Sequence, residues 1–526
     1  MAISAFRSKL LSGVRWTAAA NVALVGGGLV QTMILARLLE RKDFGLVAMA
    51  GVLLGFLQLF SDVGLSNVLI AKQDLSPQVR DTVYWTNLLS ALSLSLLVAA
   101  SAPLQAAFFS RPELVPLIWC MAPGFVLAAA GQPFAMIARR EFRFRRVAMG
   151  NIIAALTLLP ASVGLALVGA GAYALVFGSQ ISFLSRVIYY MAAERRHWFP
   201  QLRFSFRALR GVVTFGLFQT LDRLCSYTWR NIEYALIGRF MGPDPVALYR
   251  LASELPVRPM SAITPMVNVV AFPAFARKQS DTEAVRRGVL EITRFLATAV
   301  FPILFGLAVS APLVVPVIFS PKWNGAVPLV PILCLLSATR LLSEPVDSML
   351  LGLGLVRLSF ICNAILAALA VPIFAVCATI SLQAVAWAAA LIYLSVFIGR
   401  WRAVFWRPIG LGPKAYLAVL AKPMALSGLM AGATWLVMTA MAGRITFLPA
   451  RLAVTVASGV VVYLVLLRVF DWPYVTQHAG LLLRRRPAPA GAGEEPDRVD
   501  GVPPTALATD MLEDVSPPPS HPLKPS

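Results

Sequence analysis

The sequence predicts an all-α polytopic membrane protein with about fourteen transmembrane helices, and three observations lead to that prediction. Hydrophobic residues make up 58% of the 526-residue chain and charged residues only 13%, whereas a soluble domain is about 45–50% apolar and about 25% charged. The apolar residues fall in repeated stretches of about 20 residues or more, long enough to cross a bilayer. Short clusters of Lys and Arg separate many of these stretches.

The predicted spans follow one another with short loops between them, so no loop can hold a folded soluble domain. The seventh, eighth and tenth contain charged residues and have the weakest apolar signal. We predict spans near residues 13–37, 44–70, 82–108, 113–137, 147–169, 171–193, 209–240, 246–275, 288–318, 325–351, 354–378, 382–403, 415–441 and 447–470.

A faint internal repeat divides these helices into two groups. Arg37 ends one long helix shortly before Asp43 starts the next, and Arg239 ends another shortly before Pro245. Transporters are often built from such repeats, with the substrate site between the halves. After Arg486 the chain is rich in Pro, Gly, Asp and Glu, a composition that cannot bury a core. We therefore predict an N-terminal lobe over 1–193, a C-terminal lobe over 194–408, a final helix pair over 409–475 and a disordered Pro-rich cytoplasmic tail over 476–526.

The net charge of +21 is typical either of a nucleic-acid-binding protein or of a membrane protein with basic cytoplasmic loops. The basic residues lie between apolar stretches, which excludes the first interpretation and favours the second. With fourteen spans the main clusters share one side, and the positive-inside rule then places both termini in the cytoplasm. The exception is the loop after the first span. The clusters are Arg139 to Arg146, Arg195 to Arg207, Arg277 to Arg287, Arg400 to Lys414 and Arg484 to Arg486.

Motifs that carry catalysis do not occur in the sequence. There is no Walker A loop, GxSxG or HExxH pattern, and none of the three histidines falls within a predicted span. None of the five cysteines forms a CxxC pair, so we expect neither a metal site nor a disulfide framework. These patterns predict a protein that is not an enzyme and needs no cofactor.

The predicted spans do contain charged side chains, each of which costs about 2.5–3.5 kcal/mol at the bilayer centre and is therefore expected to face an interior cavity. Helical spacing puts these residues on common faces. They are Arg223, Arg230 and Glu233 in the seventh span, Arg250, Glu254 and Arg258 in the eighth, Arg340, Glu344 and Asp347 in the tenth, and Asp62 in the second.

Two interpretations of these charges stay open. One is a cationic cavity for an anionic substrate such as a diphosphate, because the guanidinium fork binds phosphate bidentately. The other is ion pairing that holds helices together, by Arg230 with Glu233, Arg250 with Glu254, and Arg340 with Glu344. Arg223 has no acidic residue at helical spacing, and Arg258 shares Glu254 with Arg250. These two therefore favour substrate binding.

Several segments resemble the signatures of bacterial polysaccharide transporters, the Wzx-type flippases of the multidrug/oligosaccharidyl-lipid/polysaccharide exporter superfamily. The resemblance runs from about residue 8 to about 470 and is strongest to exporters of colanic acid and succinoglycan. The segments are ARLLERKDFGLVAMAGVLLGFLQLFSDVGLSNVLI (36–70), QPFAMIARREFRFRRVA (132–148), NIEYALIGRFMGPDPVALY (231–249), AFPAFARKQSD (271–281) and PVIFSPKWNGAVPLVPIL (316–333).

The resemblance implies fourteen helices in two lobes around a central cavity that opens to one side at a time. It implies an inner-membrane flippase for undecaprenyl-diphosphate-linked oligosaccharide repeat units, with a polysaccharide polymerase and a chain-length regulator as candidate partners. Arg15 resembles a basic position near the start of the first helix of the family. Our candidates for substrate contact are Arg223, Arg230, Arg250, Arg258 and Arg15, and our candidates for cation coupling are Asp62, Glu254 and Glu344. We expect a monomer.

Three alternatives remain open at this point. A cation-coupled multidrug exporter of the same superfamily would favour an aromatic and acidic cavity. A membrane polysaccharide polymerase or ligase would need catalytic groups in a large periplasmic loop, which the sequence does not provide. The third is a structural partner within a biosynthetic complex that transports nothing itself.

Overall fold

A computed structural model describes most of the chain. The described residues are 16, 20, 23–61, 76–195, 198–203, 217–277, 282–352, 356–406 and 410–472; their side chains are described except at 60–61, 217–220, 262–277, 344–352, 356–358 and 403–404.

The described residues form helices joined by short turns, and no β-strand occurs among them. Besides the α-helices there are a 3-10 helix, Pro321–Ala326, and a π-helical turn, Arg402–Trp406. The α-helices are α1 (Ala23–Leu38), α2 (Arg41–Ser61), α3 (Pro77–Phe109), α4 (Leu114–Met121), α5 (Pro123–Arg140), α6 (Phe144–Leu167), α7 (Ala172–Glu194), α8 (Leu217–Phe240), α9 (Pro243–Arg277), α10 (Thr282–Ile318), α11 (Leu329–Gly352), α12 (Val356–Ile380), α13 (Leu382–Trp401), α14 (Pro413–Ala440) and α15 (Leu448–Phe470).

Each of the predicted spans overlaps helical residues, so the all-α class is confirmed. The fourth predicted span consists of two helices, α4 and α5, because Pro123 begins a new helix. Proline is well placed at the first position of a helix, where its missing N–H has no partner to lose. Within the described residues, nine helical segments are long and apolar enough to cross a membrane. The protein is therefore a multi-pass membrane protein, and the count of fourteen spans stays a prediction.

Helix α2 lies at the centre of the packing. It packs against α3 and α7 and also against α8 and α9. Helices α6 and α7 form one close pair, α8 and α12 form another, and the last two helices, α14 and α15, pack against α10. The buried core includes the fully enclosed rings of Trp229, Trp323 and Tyr249. The division into two lobes and a final pair remains a prediction.

The corner between α1 and α2 meets the corner between α8 and α9. A Cβ atom added to Gly45 of α2 would lie 2.0 Å from the carbonyl oxygen of Pro243, the first residue of α9. Trp323 of the 3-10 helix donates its indole N–H to the Ala36 carbonyl at 2.8 Å, and its ring meets Phe44 edge-on at 5.5 Å. The Gly45–Pro243 approach joins the two places at which the sequence shows its internal repeat, and Trp323 holds the 3-10 helix against the first of them.

Candidate functional site

A stripe of three charged residues runs along α9. Arg258 Nη2 lies 3.0 Å from Glu254 Oε2, whereas Arg250 Nε lies 3.8 Å from Glu254 Oε1. The predicted pairing of Arg250 with Glu254 is thus present, although the closer contact belongs to Arg258. One carboxylate faces two guanidinium groups, so the stripe keeps an excess positive charge. The Arg250 side chain is 49% exposed, about twice as much as those of its two neighbours.

Helix α1 forms one wall beside this stripe. The Arg258 guanidinium sits against Gly28, where an added Cβ would lie 2.9 Å from Nη1. The same Nη1 donates to the Val25 carbonyl at 3.5 Å, and the Thr32 hydroxyl lies 3.5 Å from Glu254 Oε2. A glycine on α1 is what gives the large guanidinium room at this position. The stripe therefore faces another helix of the protein.

Helix α8 supplies a second wall. The Tyr227 hydroxyl donates to the Val52 carbonyl of α2 at 2.8 Å, and the ring lies so close to Gly55 that a Cβ there would overlap it. Arg250 lies near enough to Tyr227 to interact with it electrostatically. Helices α1, α2 and α8 thus all pack against α9, and Arg250 is the most exposed of the three charged side chains of the stripe.

The two arginines predicted on α8 have different surroundings. Arg230 lies over the Trp229 ring, 4.9 Å from its centroid, and donates to the Ser226 hydroxyl at 3.2 Å. Arg223, two turns earlier, has an exposed side chain, and the structure gives it no ion pair with an acidic side chain whose position is described. Of the two, Arg223 is the more accessible cation.

Glu233 has surroundings that the sequence analysis missed. It is 2% exposed, and its Oε2 has no hydrogen-bond partner among the described residues. The charge that acts on it is the Arg340 guanidinium of α11. Arg340 donates to the Tyr393 hydroxyl at 2.6 Å and lies 4.3 Å from the centroid of that ring. The spacing within one helix could not reveal this arrangement, because its members come from α8, α11 and α13.

Asn363 of α12 is the centre of a second buried network. Its amide nitrogen donates to Asp222 Oδ1 at 2.8 Å, and its amide oxygen accepts from Trp229 at 3.1 Å and from Arg400 at 2.7 Å. Asn363 and Arg400 are 3% and 7% exposed. This network links α8, α12 and α13 through polar groups inside an apolar protein. The one sequence signal that could have indicated it is the occurrence of Asp222 and Asn363 within long apolar stretches.

Three predicted site residues cannot be placed in this geometry. Arg15 and Asp62 lie outside the described residues, and Glu344 lies on α11 with its side chain outside them. Glu254 is described, and its two carboxylate oxygens each face an arginine. Of the predicted residues, the structure thus brings Arg250, Glu254 and Arg258 together and sets Arg223 and Arg230 on the neighbouring helix α8.

The fold is that of a known class of membrane protein. The chain resembles the inward closed structure of the lipid II flippase MurJ with a TM-score of 0.68 at 11% identity, over 88% of this chain and 100% of that one. A family model described as "Polysaccharide biosynthesis protein" matches residues 34–328. The chain therefore belongs to the polysaccharide biosynthesis protein family, and the resemblance seen in its motifs is confirmed.

Two relatives illustrate the family. The chain is 31% identical over 462 residues to the teichuronic acid biosynthesis protein TuaB of Bacillus subtilis (strain 168), covering 87% of this chain and 95% of TuaB. It is 26% identical over 322 residues to the succinoglycan biosynthesis transport protein ExoT of Rhizobium meliloti (strain 1021), covering 61% of this chain and 65% of ExoT.

Proposed function

We propose that this protein is a flippase of the bacterial inner membrane, with both termini in the cytoplasm. It carries undecaprenyl-diphosphate-linked oligosaccharide repeat units from the cytoplasmic to the periplasmic leaflet, for exopolysaccharide or lipopolysaccharide biosynthesis. No covalent bond is made or broken. A polysaccharide polymerase and a chain-length regulator would act next on the exported unit.

The observation that carries the proposal is the excess positive charge on the α9 stripe. Glu254 faces both Arg250 and Arg258, and the Arg250 side chain is half exposed. The guanidinium fork of Arg250 is accessible, and its contact with the Glu254 carboxylate is long at 3.8 Å, so a diphosphate can bind it bidentately. Arg223 on α8 adds a second accessible cation.

The helix packing supports a mechanism of alternating access. The α1–α2 corner touches the α8–α9 corner at Gly45 and Pro243, where the two predicted lobes meet. A close backbone contact of this kind, with no ion pair across it between described residues, can separate when the lobes rock against each other. In this mechanism the substrate diphosphate engages Arg250 from one side and leaves on the other after the corners part.

The drug-exporter alternative is less well supported by the same charges. A cavity for cationic drugs would need carboxylates in excess of arginines, and the described part of the stripe has two arginines for one glutamate. The family also points to polysaccharide biosynthesis, and ExoT is named as a transport protein.

The proposal is tested in a deletion strain by measuring secreted polysaccharide and the leaflet in which the lipid-linked repeat unit accumulates. We expect loss of polymer with repeat units on the cytoplasmic face. Wild-type protein should restore export, Arg250→Ala should fail, and Arg250→Lys should restore it partly, since lysine keeps the charge without the fork.

Arg444 offers a matched control, since it is an exposed arginine far from the stripe in sequence, in the turn between α14 and α15. Arg444→Ala should export like wild type. Unpolymerised repeat units on the periplasmic face of the deletion strain would instead indicate a polymerase or its partner. Normal polymer together with raised drug sensitivity would indicate a drug exporter.

A further inference from the structure

The turn between α5 and α6 has an aromatic residue in a backbone conformation that favours glycine. Phe142 has φ = +56°. Its N–H bonds to the Arg139 carbonyl at 3.1 Å, and the N–H of Arg143 bonds to the Ala138 carbonyl at 2.8 Å. This pair of bonds defines a Schellman motif, with Phe142 at the position that is usually glycine.

The same chain uses glycine at the equivalent position elsewhere. At the end of α6, Gly169 has φ = +81° and donates to the Ala166 carbonyl, and Ala170 donates to the Leu165 carbonyl. A side chain at such a position costs about 1–2 kcal/mol. Burial does not offset that cost at Phe142, since its side chain is 45% exposed. The ring meets the Phe144 ring edge-on, with 6.0 Å between the two centroids. A strained backbone that holds a half-exposed aromatic side chain is typical of a functional site.

Arginines flank Phe142 in sequence, and two of them, Arg143 and Arg146, are held by ion pairs. Glu194, at the end of α7, is 3% exposed and binds Arg143 Nη1 at 2.6 Å and Arg146 Nη1 at 2.7 Å. Arg143 also pairs with Glu141. These ion pairs fix the turn to the end of α7. Both acidic residues of this turn region, Glu141 and Glu194, are therefore already paired with an arginine.

The other arginines of the turn have no such partner. Arg139 and Arg145, on either side of Phe142, are exposed, as is Arg195 beside Glu194. No acidic side chain in the described part of the chain pairs with these three. Arg145 lies over the Trp16 ring, 5.5 Å from its centroid, which leaves its N–H groups available. The turn thus presents the exposed Phe142 ring, packed edge-on against Phe144, close in sequence to exposed guanidinium groups that have no carboxylate partner among the described residues.

We propose that this turn is a binding site for anionic phospholipid headgroups of the membrane that surrounds the protein. The Phe142 ring enters the interfacial layer, where aromatic side chains are favoured, while Arg139 and Arg145 bind the headgroup phosphates. The exposed ring favours the lipids of the bilayer over a substrate headgroup, because a diphosphate needs only the arginines. The site does not depend on the transport proposed above.

Native mass spectrometry of the full-length protein in detergent, titrated with phosphatidylglycerol or phosphatidylcholine, tests the site. We expect wild type to bind phosphatidylglycerol more tightly. Arg139→Gln with Arg145→Gln should weaken that binding about fivefold for each arginine removed and leave phosphatidylcholine unchanged. Arg444→Gln removes an exposed arginine elsewhere and should have little effect.

Phe142→Gly provides a second measurement that a folding defect cannot imitate. It should raise the melting temperature in lipid-free detergent, since the strain is relieved, and reduce the additional stabilisation gained from phosphatidylglycerol. Equal weakening by Arg444→Gln, or equal binding of the two lipids by wild type, would overturn the proposal. The proposal would also be overturned if the double variant Arg139→Gln, Arg145→Gln bound phosphatidylglycerol like wild type but lost binding of undecaprenyl diphosphate. That result would assign these two arginines to the substrate.

Discussion

Gly45 allows the closest approach between the two helix corners, and replacing it with alanine tests that contact. The added Cβ would lie 2.0 Å from the Pro243 oxygen, 2.4 Å from the Pro243 carbonyl carbon and 2.7 Å from its Cα. All three atoms belong to backbone, so no side-chain rotation can relieve the overlap. Either α2 or α9 has to move at its first turn.

The size of the effect follows from that overlap. Overpacking a core costs roughly 1–3 kcal/mol when side chains can adjust. Because only backbone can yield here, we expect a loss of about 3 kcal/mol, at the top of that range. Alanine also gains helix propensity over glycine, up to about 1 kcal/mol, which offsets part of the loss. Gly45→Ala should therefore lower the melting temperature by several degrees.

Gly51 is the matched control, because it lies in the same helix and an added Cβ there would have no neighbour within 4 Å. Thermal unfolding of the purified protein in one detergent compares the two variants. Gly51→Ala should melt at or slightly above the wild-type temperature, and Gly45→Ala clearly below it. If the two variants have the same melting temperature, the two corners are not in the close contact that the structure shows.

Three further substitutions test the packing around the site by the same thermal assay. Trp323→Phe keeps most of the buried ring but loses its 2.8 Å hydrogen bond, so it should destabilise by about 1–3 kcal/mol; an unchanged melting temperature would show that this bond contributes nothing. Asn363→Leu leaves Arg400 and Asp222 without their shared amide and should cost about 3 kcal/mol or more; a stable variant would contradict the network. Tyr227→Phe loses one hydrogen bond to α2 and should cost only about 1 kcal/mol, with a larger loss indicating a different role for the hydroxyl.

The sequence was sufficient for the helices, because hydropathy over about 20 residues reports the solvent around a segment directly. It placed α12 and α13 as separate helices although only Ser381 lies between them. It treated α4 and α5 as one span, since Pro123 is compatible both with a kink and with a new helix start. Whether a proline kinks a helix or starts a new one depends on the local backbone conformation, which composition does not determine.

The site was only partly predictable. The stripe of Arg250, Glu254 and Arg258 follows from a spacing of four residues within one helix, and the structure confirms that the three lie together. A contact between side chains on two different helices leaves no periodic spacing in the sequence. Glu233 therefore had Arg230 as its expected partner, whereas the charge that acts on it is Arg340 of α11, more than a hundred residues away in sequence.

The most direct test of the proposed function is translocation of an undecaprenyl-diphosphate-linked oligosaccharide in proteoliposomes, read out by the fraction of substrate accessible in the outer leaflet. We expect wild-type protein and the Arg444→Ala variant to move the substrate. Arg250→Ala should lose most of this activity while keeping the wild-type melting temperature. Translocation that is equal in Arg250→Ala and wild type, or no faster with wild type than in protein-free liposomes, would contradict the account.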